Sequence, residues 1–143
     1  MLKINTEILI NSPVSLVWKH LSTTALVQKW IGEPEMNIQI ITDWEVGSPI
    51  IIKGFHHINF INQGTILKFE PNKILQYNQL DSISNLPDME ENYSILTFQL
   101  SSINDQTLLQ IDIENFPTET IYKHLNLYWR TTIELIKHII END

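Results

Sequence analysis

The five histidines are the side chains best suited to metal or acid–base chemistry, and their spacing argues against a shared site. His56 and His57 lie within a predicted strand, so their side chains point to opposite faces and cannot ligate one metal together. His124 and His138 are too far apart on a predicted helix to chelate one ion, and His20 stands alone. We therefore predict no metal site, although one of the two adjacent histidines could face the interior.

The carboxylates cluster in a loop and form no acid–base pair. Four of them fall within residues 81–92, a segment that is long for a hairpin connection; they are Asp81, Asp88, Glu90 and Glu91. This composition indicates either a solvated acidic loop or a mobile lid at the mouth of a cavity. The sequence contains no nucleophile elbow, phosphate-binding loop or dinucleotide fingerprint. We therefore predict no catalytic residue and no cofactor, and a buried Tyr or His acting on a bound ligand is the only enzymatic alternative.

Large aromatic side chains, with one histidine and one threonine, form the best candidate site for a ligand. Buried Tyr and Trp keep an O–H or N–H group that needs a partner, and this group could orient a ligand. The same residues also fit an ordinary hydrophobic core. Phe55 and His56 are alternatives, because the run 50–52 is apolar on both faces of its strand. The predicted ligand-binding residues are Phe55, His56, Phe69, Tyr77, Tyr93, Phe98, Tyr128, Trp129 and Thr132.

Composition indicates one folded domain over residues 1–143 and excludes several classes of function. Nine basic against seventeen acidic residues give a net charge of −8, which disfavours nucleic-acid phosphates and anionic lipids as partners. The absence of cysteine removes thiolate chemistry and fits a reducing compartment. No segment resembles a signal peptide or a membrane span. We predict a cytoplasmic monomer or homodimer with neither nucleic-acid nor membrane partners.

Hydrophobic periodicity predicts the element order β-α-α-β-β-β-β-β-β-α. Residues 3–10 alternate as a half-buried strand, and Ser12 and Pro13 suit the cap and first position of a short helix. A second helix is expected to end at Gly32. Turn residues, among them Asn62-Gln63-Gly64, separate strands of an antiparallel sheet. These strands are expected near 36–43, 49–60, 62–70, 73–81, 93–102 and 107–115.

One long amphipathic helix is predicted over Thr118–Asp143, with Thr118 as its cap. Its apolar positions recur every three or four residues, and the aromatic pair Tyr128-Trp129 lies in the middle. The stripe comprises Ile121, Leu125, Tyr128, Trp129, Thr132, Ile133, Ile136, Ile139 and Ile140. We expect the sheet to close around this helix, and a cavity can lie between them.

Packing and turn motifs follow one another along nearly the whole chain. The first helix opens with Ser12-Pro13-x-x-x-Val17-Trp18, Trp30 closes the second, and Asp43-Trp44-x-x-Gly47 precedes a strand. A hairpin carries Gly64-x-Ile66-x-x-Phe69-Glu70-Pro71-Asn72-Lys73-x-Leu75-x-Tyr77, Thr107 leads the last strand, and Trp129 lies in the final helix. In this order the motifs resemble the START-like (SRPBCC) superfamily and, within it, the family related to the activator of the heat-shock-protein ATPase.

The resemblance implies an α+β helix-grip fold, β-α-α-β6-α, in which a curved antiparallel sheet wraps a long C-terminal helix. Relatives bind lipids, hormones or polyketide-like molecules, act as cyclases or aromatases, or bind a chaperone, so the fold leaves the function open. The leading hypothesis is a small hydrophobic or amphipathic ligand held between helix and sheet. The alternative is a protein-interaction module that binds a chaperone through its acidic surface, and a cyclase- or hydrolase-type enzyme comes third.

Overall fold

The computed structural model describes residues 2–143 and confirms the predicted order of elements. The helices are α1 (Val14–Ser22), α2 (Thr24–Trp30) and α3 (Glu119–Glu141). The strands are β1 (Lys3–Ile10), β2 (Gln39–Ile41), β3 (Pro49–His56), β4 (Ile58–Glu70), β5 (Ile74–Gln79), β6 (Ser94–Ile103) and β7 (Gln106–Glu114). Single turns of 3-10 helix occur at Pro34–Met36, Ser82–Ser84 and Glu90–Asn92.

The strands form one curved antiparallel sheet in the order β1-β7-β6-β5-β4-β3-β2. The chain starts at one edge, crosses by way of α1 and α2 to the other, and returns as a meander of hairpins. A bulge between Ile66 and Lys68 interrupts the pairing of β4 with β5. Because a bulge adds one residue to one strand, the inward and outward alternation shifts after Leu67, so that Phe69 and not Lys68 packs against the core. The α+β helix-grip architecture is confirmed.

The concave face of the sheet is apolar because the inward-facing side chains are hydrophobic. They alternate along the strands with solvent-facing side chains. On β7, Leu109, Ile111 and Ile113 are fully buried, while their polar neighbours face outward. Helix α3 covers this face and packs against β1 and α2. The Thr118 hydroxyl accepts a hydrogen bond from the backbone N–H of Ile121 at 3.1 Å, which confirms the predicted cap. The helix buries Leu125, Trp129, Thr132, Ile133, Ile136 and Ile140, as the stripe predicts.

The β3–β4 hairpin differs from its predicted form. β3 ends at His56, His57 takes a left-handed conformation with φ of 64°, and β4 begins at Ile58, so the predicted strand 49–60 is two strands. Gly64 lies inside β4 and not in a turn. A Cβ at Gly64 would lie 1.7 Å from the carbonyl oxygen of Asn78, so glycine permits close approach of the two backbones.

Two other boundaries are corrected. The residue that precedes α1 is Pro13, whose ψ of 154° is extended, and its carbonyl accepts the N–H groups of Leu16 and Val17. Ser12 does not cap the helix; its carbonyl accepts the buried hydroxyl of Thr107 at 2.8 Å. The strand predicted at 36–43 is shortened to β2, because the turn Pro34–Met36 ends in a left-handed Asn37.

Candidate functional site

Four of the predicted ligand-binding residues meet between helix and sheet, where they form a packed aromatic core. The Trp129 ring lies edge-on to Phe98, with ring centroids 5.5 Å apart, and Phe98 stacks on Tyr77 at 5.8 Å. Trp30 of α2 approaches Trp129 at 6.1 Å. Thr132 is buried one helical turn beyond Trp129. These distances are those of contacting aromatic rings, which leave no gap between them.

The free space in this core is far smaller than a ligand. The cavity has a volume of about 10 Å³ and is bordered mainly by apolar side chains, among them Trp30, Trp44, Leu75, Tyr77 and Phe98. A single water requires roughly 10–15 Å³ of such space, whereas ligand pockets measure roughly 300–1,000 Å³. The interior of the helix grip is therefore filled by the protein's own side chains.

Tyr128 uses its polar group within the fold. Its hydroxyl donates a hydrogen bond to the backbone carbonyl of Ile31, at the end of α2. Burial raises the pKa of the Tyr128 phenol, and a hydrogen bond with the Thr132 side chain partly offsets this rise. Burial also raises the pKa of the Tyr77 phenol. Both phenols therefore stay protonated over the neutral range, and the Tyr128 hydroxyl ties α3 to the end of α2.

Phe69 lies in a separate aromatic cluster of the core. Its ring contacts Trp18 of α1 at 5.1 Å and Trp44 at 6.3 Å between centroids. The Trp44 indole N–H donates to the hydroxyl of Thr24 at 3.3 Å. This cluster joins the start of α2, the loop before β3 and the end of β4, so its rings pack elements together.

Phe55 and His56 do not face the interior, contrary to the sequence prediction. The two residues lie at the exposed tip of the β3–β4 hairpin, where Phe55 is 51% exposed. The ring of His56 lies 4.7 Å from that of His57 because the chain reverses at His57. Phe55 lies on the outward face of β3, because the buried positions of that strand are Ile50 and Ile52, and His56 lies beyond the core at the end of the strand.

Tyr93 also lies outside the interior, so its predicted place in a ligand cavity is corrected. Its hydroxyl donates to Asp88 at 2.6 Å and accepts from the Gln63 amide at 3.1 Å. The same amide donates to the other oxygen of Asp88 at 3.0 Å. These bonds fasten the 81–92 loop to the strands, and the loop covers the convex side of the sheet and no inner cavity. Burial raises the pKa of the Tyr93 phenol, with the Asp88 carboxylate acting in the same direction.

A wide open groove lies on this convex side, and we call it the outer groove. Its volume is about 690 Å³. A row of outward side chains forms the floor, and the loop segment 89–93 forms a wall. The floor row runs from Lys3 through Glu114, Ile95 and Asn78 to Leu67. Sequence reasoning missed this groove, because its lining comes from five strands and a loop segment that no local pattern brings together.

Within residues 2–143, no group of three or more His, Cys, Asp or Glu side chains is placed to hold a metal ion. Over the same residues, no helix is long and apolar enough to cross a membrane.

Comparison with known proteins agrees with this geometry. The family described as Activator of Hsp90 ATPase homolog 1-like protein matches residues 11–141. No curated protein matches the sequence. A solution structure from Cytophaga hutchinsonii has a TM-score of 0.82 at 29% identity and covers 99% of this chain and 95% of that chain.

Two further structures share the fold. A crystal structure from Chromobacterium violaceum has a TM-score of 0.81 at 16% identity, covering 100% of both chains. The Aha1 dimer from Colwellia psychrerythraea has a TM-score of 0.77 at 23% identity, covering 99% of this chain and 97% of that chain. From the match over most of its length, the chain belongs to the Activator of Hsp90 ATPase homolog 1-like family.

Proposed function

We propose that this domain is a protein-interaction module that binds a chaperone ATPase of the Hsp90 class. The observation that carries the proposal is the filled interior. The cavity that Tyr77 and Phe98 border, between α2 and the sheet, holds about 10 Å³ of free space, which is too little for a ligand. The surface therefore remains as the place where recognition can occur, and the family description supplies the class of partner.

The charge of the surface favours a basic partner patch. The chain carries a net charge of −8, and Glu90, Glu91 and Asp88 lie exposed on one loop. Complementary charge raises the association rate and sets orientation, and this contribution weakens as salt screens it. The complex should therefore form more readily at low salt.

The test is the ATPase rate of a purified Hsp90-type chaperone as the domain is added, with binding followed in parallel. We expect the rate to rise and binding to weaken between about 50 mM and 300 mM salt. Replacement of two acidic loop residues by lysine, Glu90→Lys with Glu91→Lys, should weaken binding and reduce the rise in ATPase rate. Absence of binding at low salt, with unchanged ATP turnover, would exclude this class of partner.

A second candidate is a small hydrophobic ligand that enters the interior after the side chains move. The residual cavity beside Tyr77 and Phe98 favours it. On this proposal Tyr77, Phe98, Tyr128, Trp129 and Thr132 would contact the ligand. A ligand at a hundredfold excess over its Kd should then add roughly 2.7 kcal/mol to the free energy of unfolding. A panel of hydrophobic ligands that leaves Tm unchanged would remove this candidate.

The oligomeric state is either monomer or homodimer, and we propose the homodimer. The similar Aha1 protein of Colwellia psychrerythraea is described as a dimer. Here the exposed side chains of Ile41, Phe55 and Ile61 lie outward on neighbouring strands β2, β3 and β4. Light scattering during size-exclusion chromatography should give twice the chain mass of 16.7 kDa. A mass equal to one chain at all concentrations would exclude the dimer.

A further inference from the structure

The outer groove crosses the sheet instead of following one strand. Strand pairing places Lys3 beside Glu114, Glu114 beside Ile95, and Ile95 beside Asn78, and Leu67 continues the row on β4. Neighbouring strands are about 4.8 Å apart, so a row over five strands is roughly 19 Å long. That length matches about six residues of extended chain.

The floor of the outer groove carries apolar side chains, although it lies on the solvent-facing side of the sheet. Ile95 is half-buried and outward on β6, whose inward neighbours Ser94 and Leu96 are buried in the core. Leu67 lines the groove because it follows the inward Ile66 on β4 and therefore lies on the outward face. Met89 on the loop is exposed at the same place. Three apolar side chains therefore line a surface that no element within residues 2–143 covers.

The rim of the groove is acidic and fixed in position. Glu90 and Glu91 line it, and at one end of the floor the Lys3 ammonium lies 3.5 Å from the Glu114 carboxylate. The Asn115 amide donates to the carbonyls of Glu91 and of the tyrosine two residues later, at 3.1 and 2.7 Å. The backbone of the wall is therefore tied to the end of β7, and Glu90 and Glu91 line the groove beside the apolar floor.

We propose that the outer groove docks an extended segment of a partner protein in which lysine or arginine alternates with aliphatic side chains. The segment's aliphatic groups cover Ile95 and Leu67, and its cations meet Glu90 and Glu91. This proposal rests on the proposed function, since it names the surface of the module and the chemistry of its partner. A chain segment is favoured over a small molecule, because the groove is long and open whereas small-molecule sites enclose most of their ligand.

The experiment uses the whole domain and a fluorescein-labelled peptide of about eight residues that alternates lysine and leucine. Binding is measured by fluorescence anisotropy at about 50 mM salt. Glu90→Lys with Glu91→Lys should raise Kd about tenfold, because two attractive charges become repulsive. Ile95→Ser should raise Kd about fivefold, because the floor loses an apolar contact. A peptide that alternates lysine and serine should bind less tightly than the lysine–leucine peptide.

Matched variants separate the groove from general charge attraction. Glu45→Lys with Glu134→Lys makes the same change in net charge at exposed positions away from the groove. Ile103→Ser removes an exposed outward isoleucine at the far end of the same strand. These variants should leave Kd unchanged, and circular dichroism confirms that each is folded. Equal weakening by the control variants would overturn the docking site.

Competition by spermine and binding of the chaperone complete the test. Spermine that displaces the peptide at equal concentration would assign the groove to a small polycation and overturn the proposal. If the chaperone does not bind while peptide binding still requires Glu90, Glu91 and Ile95, the chaperone is excluded as the partner. The docking site itself is then supported. Chaperone binding that tolerates all three changes would instead support the proposed function and exclude this surface.

Discussion

Removal of the Phe98 ring tests whether the interior of the helix grip is filled. Phe98 is 1% exposed and lies between Tyr77 and Trp129, and it also borders the small cavity. Phe98→Ala should lower the free energy of unfolding by roughly 3–5 kcal/mol. A void of about 100 Å³ contributes about 2.4 kcal/mol at roughly 24 cal/mol per Å³, and lost apolar transfer accounts for the remainder.

The variant should remain folded and gain a binding property. A domain of this length has a total stability of roughly 7–21 kcal/mol at 0.05–0.15 kcal/mol per residue, so the loss is tolerated. The new void has apolar walls, so it should stay dry and accept benzene. Urea unfolding followed by tryptophan fluorescence gives the destabilisation, and Tm with and without benzene gives the binding. Phe98→Leu is the matched control, because it keeps most of the volume.

The comparison with the wild-type domain decides the outcome. The wild-type Tm should not change with benzene, because about 10 Å³ cannot hold the molecule. An equal rise of Tm in wild type and Phe98→Ala would refute the filled interior. A destabilisation below about 1 kcal/mol would show that the ring is not packed as the structure has it.

Three further predictions concern stability. Gly64→Ala should lower the free energy of unfolding by about 3 kcal/mol in a urea titration, because the new Cβ would meet the carbonyl of Asn78 at 1.7 Å; an unchanged midpoint would contradict the close approach. Thr118→Ala should cost about 1 kcal/mol by the same assay, since the α3 cap is lost, while Thr118→Ser should cost little. Burial raises the pKa of Tyr77 above its ordinary value of 10.0, so the unfolded chain loses the proton first and stability falls as pH rises above about 10, by up to 1.4 kcal/mol per pH unit. Tyr77→Phe should reduce that alkaline slope, and an unchanged slope would contradict its burial.

Much of the fold could be predicted because its signals are local. The alternation along β1 and β7 and the stripe of α3 each follow from one segment and a core on one side. The hairpin at His57 could not be predicted this way. Its turn residue is not a typical former of turns, and Gly64, which is one, serves close packing of two backbones.

The candidate site was harder to predict because it depends on which face each strand presents. Tyr77, Phe98 and Trp129 were placed together by the sequence and do meet in the core. Whether they enclose a ligand depends on the distance from sheet to helix, which no segment encodes. The outer groove depends on which strands become neighbours and on the folding of the 81–92 loop onto them, and both are set by tertiary contacts.

We propose that partners are recognised on the surface of the domain and that no ligand enters its interior. The most direct measurement is a two-dimensional NMR titration of the labelled domain with an Hsp90-type chaperone. We expect the signals of surface amides to shift or broaden. The indole N–H signals of Trp30 and Trp129 should change no more than those of other buried groups. Changes centred on those two indoles, or no change anywhere at low salt, would contradict the proposal.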